Sequence, residues 1–304
     1  MEAKKPSVVM AFIILGFSSM PHLQVLFFIL ILATYLLTVA ANLIIISVVK
    51  ASQHLHCPIY YFLGSFSFLE IWFTTSTVPK MLESLVGGRS TLSEASCIAQ
   101  LYLFFALGST ECFLLATMAY DRYLAICHPL RCPAIMKWWV CAQLVGVAWV
   151  GGFLAPLLSI VLISCLSFCR PADIHHFFCY AGPLLMRSCG DVSLSSTLVS
   201  VLASSVILST FLFTMVSYGH IIATTLHIPS TTRRCKAFST CASHLAVVVL
   251  YYGRVIFTYI RPIPHSASQL DKVISLFYAV VTPLLNPMIY SLRNKEVKDA
   301  LRKV

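Results

Sequence analysis

Charged side chains are scarce in this sequence. Asp, Glu, Lys and Arg make up only 11% of its 304 residues, less than half the share of about 25% that is usual in soluble proteins. Hydrophobic residues make up 59%, which excludes an ordinary soluble domain and indicates a protein that crosses a membrane several times. The net charge of +10 is not gathered into one basic patch, and this argues against nucleic-acid binding.

Patterns of catalysis, transport and glycosylation are also missing. Glu70 and Glu111 are the only acids well inside apolar segments, so the paired aspartates of an intramembrane protease are absent, as is a His-Glu-X-X-His zinc motif. Residues 1–150 and 151–304 show no internal repeat, which many transporters have. No asparagine begins an Asn-X-Ser/Thr sequon, which excludes N-linked glycosylation. The sequence therefore predicts neither an enzyme nor a transporter.

Long apolar runs are abundant. Seven of them are long enough for the roughly 20 residues that cross a bilayer as a helix. Helices are expected because backbone polar groups cannot stay unpaired in lipid. The sequence predicts an all-α membrane protein, a seven-transmembrane helix bundle, with kinks at its internal prolines, Pro79, Pro156, Pro283 and Pro287. The predicted spans are about 22–49, 58–84, 97–121, 139–163, 195–227, 237–260 and 272–292.

The distribution of Lys and Arg predicts the orientation. The loops on the side of the C-terminus carry twelve of these bases and the loops on the other side carry nine, so the C-terminus is expected in the cytoplasm and the N-terminus outside. We expect an extracellular tail over 1–21, a receptor-like bundle over 22–292 and a cytoplasmic tail over 293–304. Two lysines before 8–17 resemble the start of a signal peptide, but no A-X-A-like cleavage site follows.

Four cysteines fall on the predicted outer side, which is an oxidising compartment. Four thiols there allow three disulfide pairings, and their spacing does not choose among them. A metal site that includes the histidines at 175–176 is the alternative, although these cysteines contain no short Cys-X-X-Cys unit. The four residues are Cys97, Cys169, Cys179 and Cys189.

Two acids inside predicted spans predict a buried polar site. Glu70 and Glu111 each cost roughly 2.5–3.5 kcal/mol in a bilayer, so both should face the interior of the bundle. Two neighbouring carboxylates do not both ionise easily. Either one stays protonated in a hydrogen-bonded structural pair, or a cation lies between them.

The stretch "MAYDRYLAICHP" places an acid and a base at the predicted inner end of the third span. Arg122 could be a snorkelling anchor, or could form a surface salt bridge with Asp121 worth about 0–1 kcal/mol. Adjacent helical residues point about 100° apart. Arg122 could therefore turn inward while Asp121 restrains it, as a latch that opens toward a partner protein.

Five motifs in a fixed order carry a family resemblance. Over about 10–300 the sequence resembles a rhodopsin-like (class A) G-protein-coupled receptor, and within that group an odorant (olfactory) receptor. Its first span has Ala-Asn at 41–42 where the family usually has Gly-Asn, and the family commonly has Asp at position 70 and a glycan on its N-terminal tail. The motifs are "LHCPIYYFL", "VPKML", "MAYDRYLAICHPL", "KAFSTCASHL" and "TPLLNPMIYSLRNKEV".

The resemblance implies function and partners. It implies a plasma-membrane receptor that binds small volatile odorants and raises cyclic AMP through a stimulatory, olfactory-type G-protein. It implies no cofactor except a candidate sodium ion at Glu70 and Glu111. It also implies two disulfides, Cys97–Cys179 and Cys169–Cys189, and a short amphipathic helix over 293–304 on anionic lipid. The implied switch residues are Asp121, Arg122, Tyr123, Tyr218, His244, Asn286, Pro287 and Tyr290.

The odorant is expected between the outer halves of the third, fifth, sixth and seventh spans. The third span offers apolar residues and a hydroxyl three to four positions apart, which share a face. A mostly apolar wall with few hydroxyls suits a small volatile molecule. Arg254 and Arg261 favour an alternative, a small carboxylate ligand. The predicted pocket residues are Phe104, Phe105, Gly108, Ser109, Cys112, Leu202, Val206, Tyr252, Val255, Tyr259 and Ala279.

Overall fold

The fold is described from a computed structural model, which covers residues 11–14, 21–51, 58–87, 90–168, 173–174, 177–227, 229–260 and 276–293. Most of these residues are helical. The strands are β1 (Ala11–Ile14), β2 (Ser90–Ser93) and β3 (Asp173–Ile174). The helices are α1 (Pro21–Ala51), α2 (Pro58–Gly87), α3 (Glu94–Cys127), α4 (Cys132–Ile135), α5 (Trp138–Leu154), α6 (Leu157–Ser164), α7 (Ala181–Leu185), α8 (Ser193–Leu226), α9 (Thr231–Ile260) and α10 (Thr282–Arg293).

The helices confirm the all-α prediction. Each predicted span overlaps a helix or a pair of helices, although 272–275 of the seventh span lies outside the described residues. Within the described part, four segments are long and apolar enough to cross a membrane by length and composition. Helix α2, which carries Glu70, Lys80 and Glu83, is not among these four. The four segments are Gln24–Ala51, Glu94–Cys127, Trp138–Ser164 and Ser193–Leu226.

One predicted helix end is wrong. Asp121 and Arg122 do not end the third helix, because α3 continues to Cys127 and is capped at His128, whose backbone N–H donates to the carbonyl of Leu124. Hydropathy marks where a chain leaves the apolar layer, whereas a helix ends where its hydrogen-bond ladder is capped. The Asp-Arg pair therefore lies within the last two turns of α3.

Helix α3 lies at the centre of the bundle. It packs against α2, α5 and α8, and half of the most apolar stretch of α3 is buried inside the protein, against 22% for α1 and 11% for α8. The many exposed apolar side chains on α1 and α8 are suited to contact with lipid. Residues on α3 can therefore reach several neighbouring helices.

A glycine lets α5 approach α3 closely. A β-carbon built on Gly152 would lie 2.7 Å from both the Cα and the backbone nitrogen of Thr110, closer than such atoms approach. Small residues at helix crossings are a common means of close packing in membranes. By contrast, a β-carbon built on Gly146, which is also in α5, would have no neighbouring atom within 4 Å.

Prolines interrupt two of the predicted spans. Helix α5 ends at Leu154 and α6 begins at Leu157, so the break falls at Pro156, which has no N–H to continue the ladder. A π-helical turn at Phe277–Val281 comes directly before α10 and its second residue, Pro283. A wider turn leaves room for the proline ring. Pro79 lies inside α2 without a break.

The three strands form a small sheet over the end of the bundle that carries Cys97. Strand β1 is the middle strand, antiparallel to β2 and parallel to β3. Phe12 and Ile14 of β1 are fully buried in a cluster with Cys97 and Cys179. Part of the expected extracellular tail is therefore a structured strand.

A disulfide joins α3 to the segment before α7. Cys97 and Cys179 are bonded, as the resemblance implied. Cys189 is also disulfide-bonded, but its implied partner, Cys169, lies outside the described residues. The histidines at 175–176, needed for the metal alternative, lie outside them too.

We expect Gly152→Ala to destabilise the bundle by about 1–3 kcal/mol, because the added methyl group must push α5 away from Thr110. Gly146→Ala is the matched control, since the space around Gly146 is open. The measurement is thermal unfolding of both purified variants in the same detergent. An equal melting temperature for the two variants would contradict the close contact.

Candidate functional site

A recess lies between α3, the break that separates α5 from α6, and α8. It encloses about 310 Å³ of empty space, part of which is open to the surroundings. Seven of its nine lining residues are apolar, two are serines, and none is charged. Such a wall suits a small, uncharged and mostly apolar molecule. The lining residues are Phe105, Ser109, Ala155, Pro156, Ser159, Val199, Leu202, Ala203 and Val206.

The break at Pro156 contributes the part of the wall that the sequence did not predict. Ala155 and Pro156 line the recess where the helix is interrupted, and Ser159 of α6 adds a second hydroxyl to that of Ser109. The proline was recognised in the sequence as a kink. Its place beside the pocket was not predictable, because it depends on which helix packs against α3.

Four of the eleven predicted pocket residues line the recess. Phe105 and Ser109 are four apart on α3, and Leu202 and Val206 are four apart on α8, so each pair presents one face. Helix α8 also contributes Val199 and Ala203, which the sequence prediction missed. Their positions continue the same three- and four-residue spacing, and that spacing could have identified them.

Other predicted pocket residues on α3 face different neighbours. The ring of Phe104 lies 5.5 Å from that of Phe73 and 5.4 Å from that of Phe178. The carbonyl of Gly108 accepts a 2.8 Å hydrogen bond from the hydroxyl of Tyr251, which is also 3.1 Å from the sulfur of Cys112. The residues expected on one face of α3 therefore contact several different neighbours, because adjacent residues point about 100° apart.

Three predicted pocket residues on α9 and on the π-helical turn before α10, namely Tyr252, Val255 and Ala279, are not among the lining residues of the recess. Tyr252 and Val255 are buried in the apolar core around Cys112, and the ring of Tyr252 packs 5.1 Å from that of Phe211. Ala279 belongs to a separate cluster with Phe177 and Phe178. The side chains of Tyr259 and Arg254, and all of Arg261, lie outside the described residues.

The Asp-Arg pair is buried. Nη2 of Arg122 lies 2.6 Å from Oδ2 of Asp121, and the two side chains are 12% and 2% exposed. This burial does not agree with a surface salt bridge or with a snorkelling anchor. The carboxylate of Asp121 holds the guanidinium of Arg122 near Tyr218 of α8 and His244 of α9.

Other predicted switch residues lie around the same end of α3. The hydroxyl of Tyr218 on α8 is 2.7 Å from Nδ1 of His244 on α9, and their rings are stacked. Tyr218 shares a buried cluster with Ala119 of α3, and Tyr123 packs against that cluster. Helices α3, α8 and α9 therefore contact one another beside the Asp121–Arg122 pair.

The two buried glutamates lie on adjacent helices. Glu70 of α2 and Glu111 of α3 are 2% and 5% exposed. A carboxylate oxygen of Glu70 accepts a hydrogen bond from Nδ2 of Asn286 on α10, whereas the buried Oδ1 of Asn286 has no hydrogen-bond partner among the described residues. Carboxylate and amide oxygens suit a hard cation.

Two further predicted switch residues belong to α10. Pro287 is buried, and the side chain of Tyr290 lies outside the described residues.

Comparison with known proteins establishes the family. Residues 31–304 match the family model described as "Olfactory receptor". The chain belongs to the olfactory receptor family. It is 49% identical to olfactory receptor 11L1 of Homo sapiens, over 100% of this chain and 94% of that protein. It is 50% identical to olfactory receptor 6Q1 of Homo sapiens, over 96% and 93% of the two chains, and 48% identical to olfactory receptor 6B9 of Mus musculus, over 96% and 92%.

This olfactory receptor is a multi-pass membrane protein of the rhodopsin-like class of G-protein-coupled receptors. Its relatives are receptors and not enzymes. The sequence predictions of fold class and family are thereby confirmed, whereas the roles assigned to individual residues stay predictions.

Gln100 is a site residue that the sequence did not reveal. Its Nε2 donates to the carbonyl of Ser76 on α2 at 3.1 Å, and its Oε1 accepts from the backbone N–H of Cys179 at 3.1 Å. Gln100 thus ties the disulfide segment of the receptor to both α2 and α3. Phe178, next to Cys179, is then held against Phe104.

We expect Gln100→Leu to lower the stability of the receptor by about 1–3 kcal/mol, because it leaves the N–H of Cys179 buried and unpaired. The measurement is thermal unfolding, with Gln143→Leu on the exposed side of α5 as the control. If Gln100→Leu and Gln143→Leu melt together, the bridge has no effect on stability.

Proposed function

We propose that this receptor binds small, mostly apolar volatile odorants in the recess between α3, α6 and α8. The observation that carries this proposal is the uncharged wall with its two hydroxyls, from Ser109 and Ser159. Apolar surface provides most of the binding energy, and a hydroxyl can select a ligand oxygen. No base lies among the lining residues that the structure describes, so we propose neutral ligands rather than carboxylates.

The recess is small, which limits affinity. A ligand of about ten heavy atoms has little surface to bury, and its total binding energy is bounded by that contact. Affinity should therefore be modest, and discrimination should depend on the fit against residues such as Ala203 and Leu202. A bulky side chain at Ala203 would occupy part of the recess.

We propose that the bound odorant activates a stimulatory, olfactory-type G-protein and raises cyclic AMP. The proposal is supported by the buried Asp121–Arg122 pair and by the contact of Tyr218 with His244. Outward movement of the inner end of α9 would separate Tyr218 from His244 and uncover Arg122. The odorant favours this state only by the difference in its affinity for the two states.

The proposed setting is the plasma membrane, with the N-terminus outside and the C-terminus in the cytoplasm. The greater number of bases on the Arg122 side supports this orientation. Residues 293–304 are proposed to form an amphipathic helix on the inner surface, although 294–304 lies outside the described residues.

We also propose that a sodium ion binds at Glu70 and Glu111. The support is two buried carboxyl groups and the buried amide oxygen of Asn286, which lacks a hydrogen-bond partner among the described residues. A bound cation offsets the repulsion between the two carboxylates and removes the cost of an open acceptor.

Sodium should therefore raise the thermal stability of the receptor on the order of 1 kcal/mol once its concentration is several times the dissociation constant. Purified receptor is melted in sodium chloride and in N-methylglucamine chloride at equal ionic strength. Glu111→Gln should abolish the difference, whereas Glu94→Gln at the start of the same helix should retain it. A full sodium effect in Glu111→Gln would exclude the site.

A cyclic AMP screen tests the odorant proposal. Cells that display the receptor are exposed to a broad panel of neutral odorants and carboxylic acids, with surface staining as control. We expect neutral ligands to respond, and Ala203→Phe to raise the half-effective concentration at least tenfold. Ser205→Phe, on the exposed side of α8 two residues further on, should change it little.

Arg122→Ala provides the control for signalling, since it should remove the cyclic AMP response and leave surface display intact. Equal effects of the substitutions at Ala203 and Ser205 would refute the recess as the ligand site. A retained response in Arg122→Ala would refute the latch.

A further inference from the structure

An exposed pair of tryptophans begins the fourth predicted span, and none of the sites above uses it. Trp138 is the first residue of α5 and is 77% exposed, and Trp139 is 45% exposed. Their rings meet edge to face, with centroids 6.2 Å apart. Two indoles exposed side by side present a large apolar surface, which is suited to a contact outside the chain.

The position of the pair indicates what that contact is. The segment Trp138–Ser164 is one of those long and apolar enough to cross a membrane. Trp138 therefore lies where the chain enters the bilayer, at the level of the lipid headgroups. Indole rings favour this level because the ring is apolar while its N–H needs a polar partner.

A lysine lies at the same level. Lys137 is the residue that caps α5, and its Nζ is 4.8 Å from the centre of the Trp139 ring, within the range of a cation–π contact. Residues 131–137 contain no acid, so the charge of Lys137 is not balanced by its own loop. A base held at the headgroup level attracts anionic lipid.

We propose that Lys137, Trp138 and Trp139 form a binding site for an anionic phospholipid. The indoles insert at the level of the headgroup, and the ammonium group of Lys137 contacts the acidic headgroup. The site fixes the depth of α5 and lies on the short connection that leads back to α3 and Arg122. It depends on the multi-pass membrane fold and not on the odorant proposal.

The other two tryptophans of the receptor allow an internal comparison. Trp72 lies in the middle of α2 and is 47% exposed. Trp149 lies eleven residues into α5, about 16 Å further into the bilayer by helix rise. A receptor that keeps Lys137 and Trp139 is made by substituting Phe at the other three positions, which leaves an aromatic ring at 138 within the site, and a receptor with only Trp72 is the control.

Each single-tryptophan receptor is reconstituted in phosphatidylcholine that contains an equal mole fraction of brominated phosphatidylserine or brominated phosphatidylcholine. Bromine quenches tryptophan fluorescence at contact, so the ratio of the two quenching constants reports which lipid is enriched. One base near the surface supports an enrichment of up to about fivefold. We expect a ratio of about two to five for Trp139 and about one for Trp72.

Charge substitutions separate the lipid site from general attraction to the protein. Lys137→Gln should bring the Trp139 ratio to about one. Lys80→Gln removes the same charge from a lysine that is paired with Glu83 at 2.8 Å, and it should leave the ratio unchanged. If a single-tryptophan receptor does not fold, the same titration on the chain with all four tryptophans, with and without Lys137→Gln, measures the same difference.

Two results would overturn the proposal. One is equal quenching of Trp139 by both lipids while Lys137 is present. The other is quenching of Trp139 by aqueous acrylamide and by neither brominated lipid, which would show that the pair faces water and is open to a soluble partner.

Discussion

A bilayer offers no water to a polar side chain, and this constraint decides how the polar residues of the receptor are arranged. Glu70 bonds to Asn286, Asp121 holds Arg122, and Tyr218 meets His244. The first and third of these pairs link different helices. Breaking one pair without replacing it leaves a costly open group, whereas exchanging partners costs little. Polar pairs of this kind hold the helices in the arrangement that the structure shows and are compatible with the proposed change of partners.

Two helices connect the proposed ligand recess with the end of the bundle that carries Arg122. Helix α3 carries Ser109 on the recess wall and Arg122 about 20 Å further along, by a rise of 1.5 Å per residue. Helix α8 carries Val206 on the same wall and Tyr218 at the end that packs beside Tyr123 of α3. A ligand that contacts both helices can change their relative position at one end. Because packed helices move as units rather than bending freely, the proposed activation would carry that change to the other end.

The sequence predicted the spans well and the pocket only in part. Hydropathy marks membrane segments because their composition differs strongly from that of soluble chains. It placed the end of α3 before Cys127, because the position of a helix end is decided by capping and not by hydropathy. Periodicity put Phe105 and Ser109 on one face of α3, and the structure agrees. Periodicity did not show that Gly108 contacts a different neighbour. That contact depends on the packing of α9 against α3, which the sequence does not reveal. Gln100 was missed because its partners are distant backbone groups, which carry no sequence signal.

The middle strand of the sheet has a consequence for biosynthesis. Strand β1 is made first, yet Phe12 pairs with Leu92 of β2 and Ile13 pairs with Asp173 of β3. Strand β1 therefore cannot pair with β3, and Phe12 and Ile14 stay exposed, until most of the bundle has been synthesised and inserted. Loop closure over such distances is slow. During that interval Phe12 and Ile14 lack the partners that bury them, so the sheet is completed only after β3 has been made.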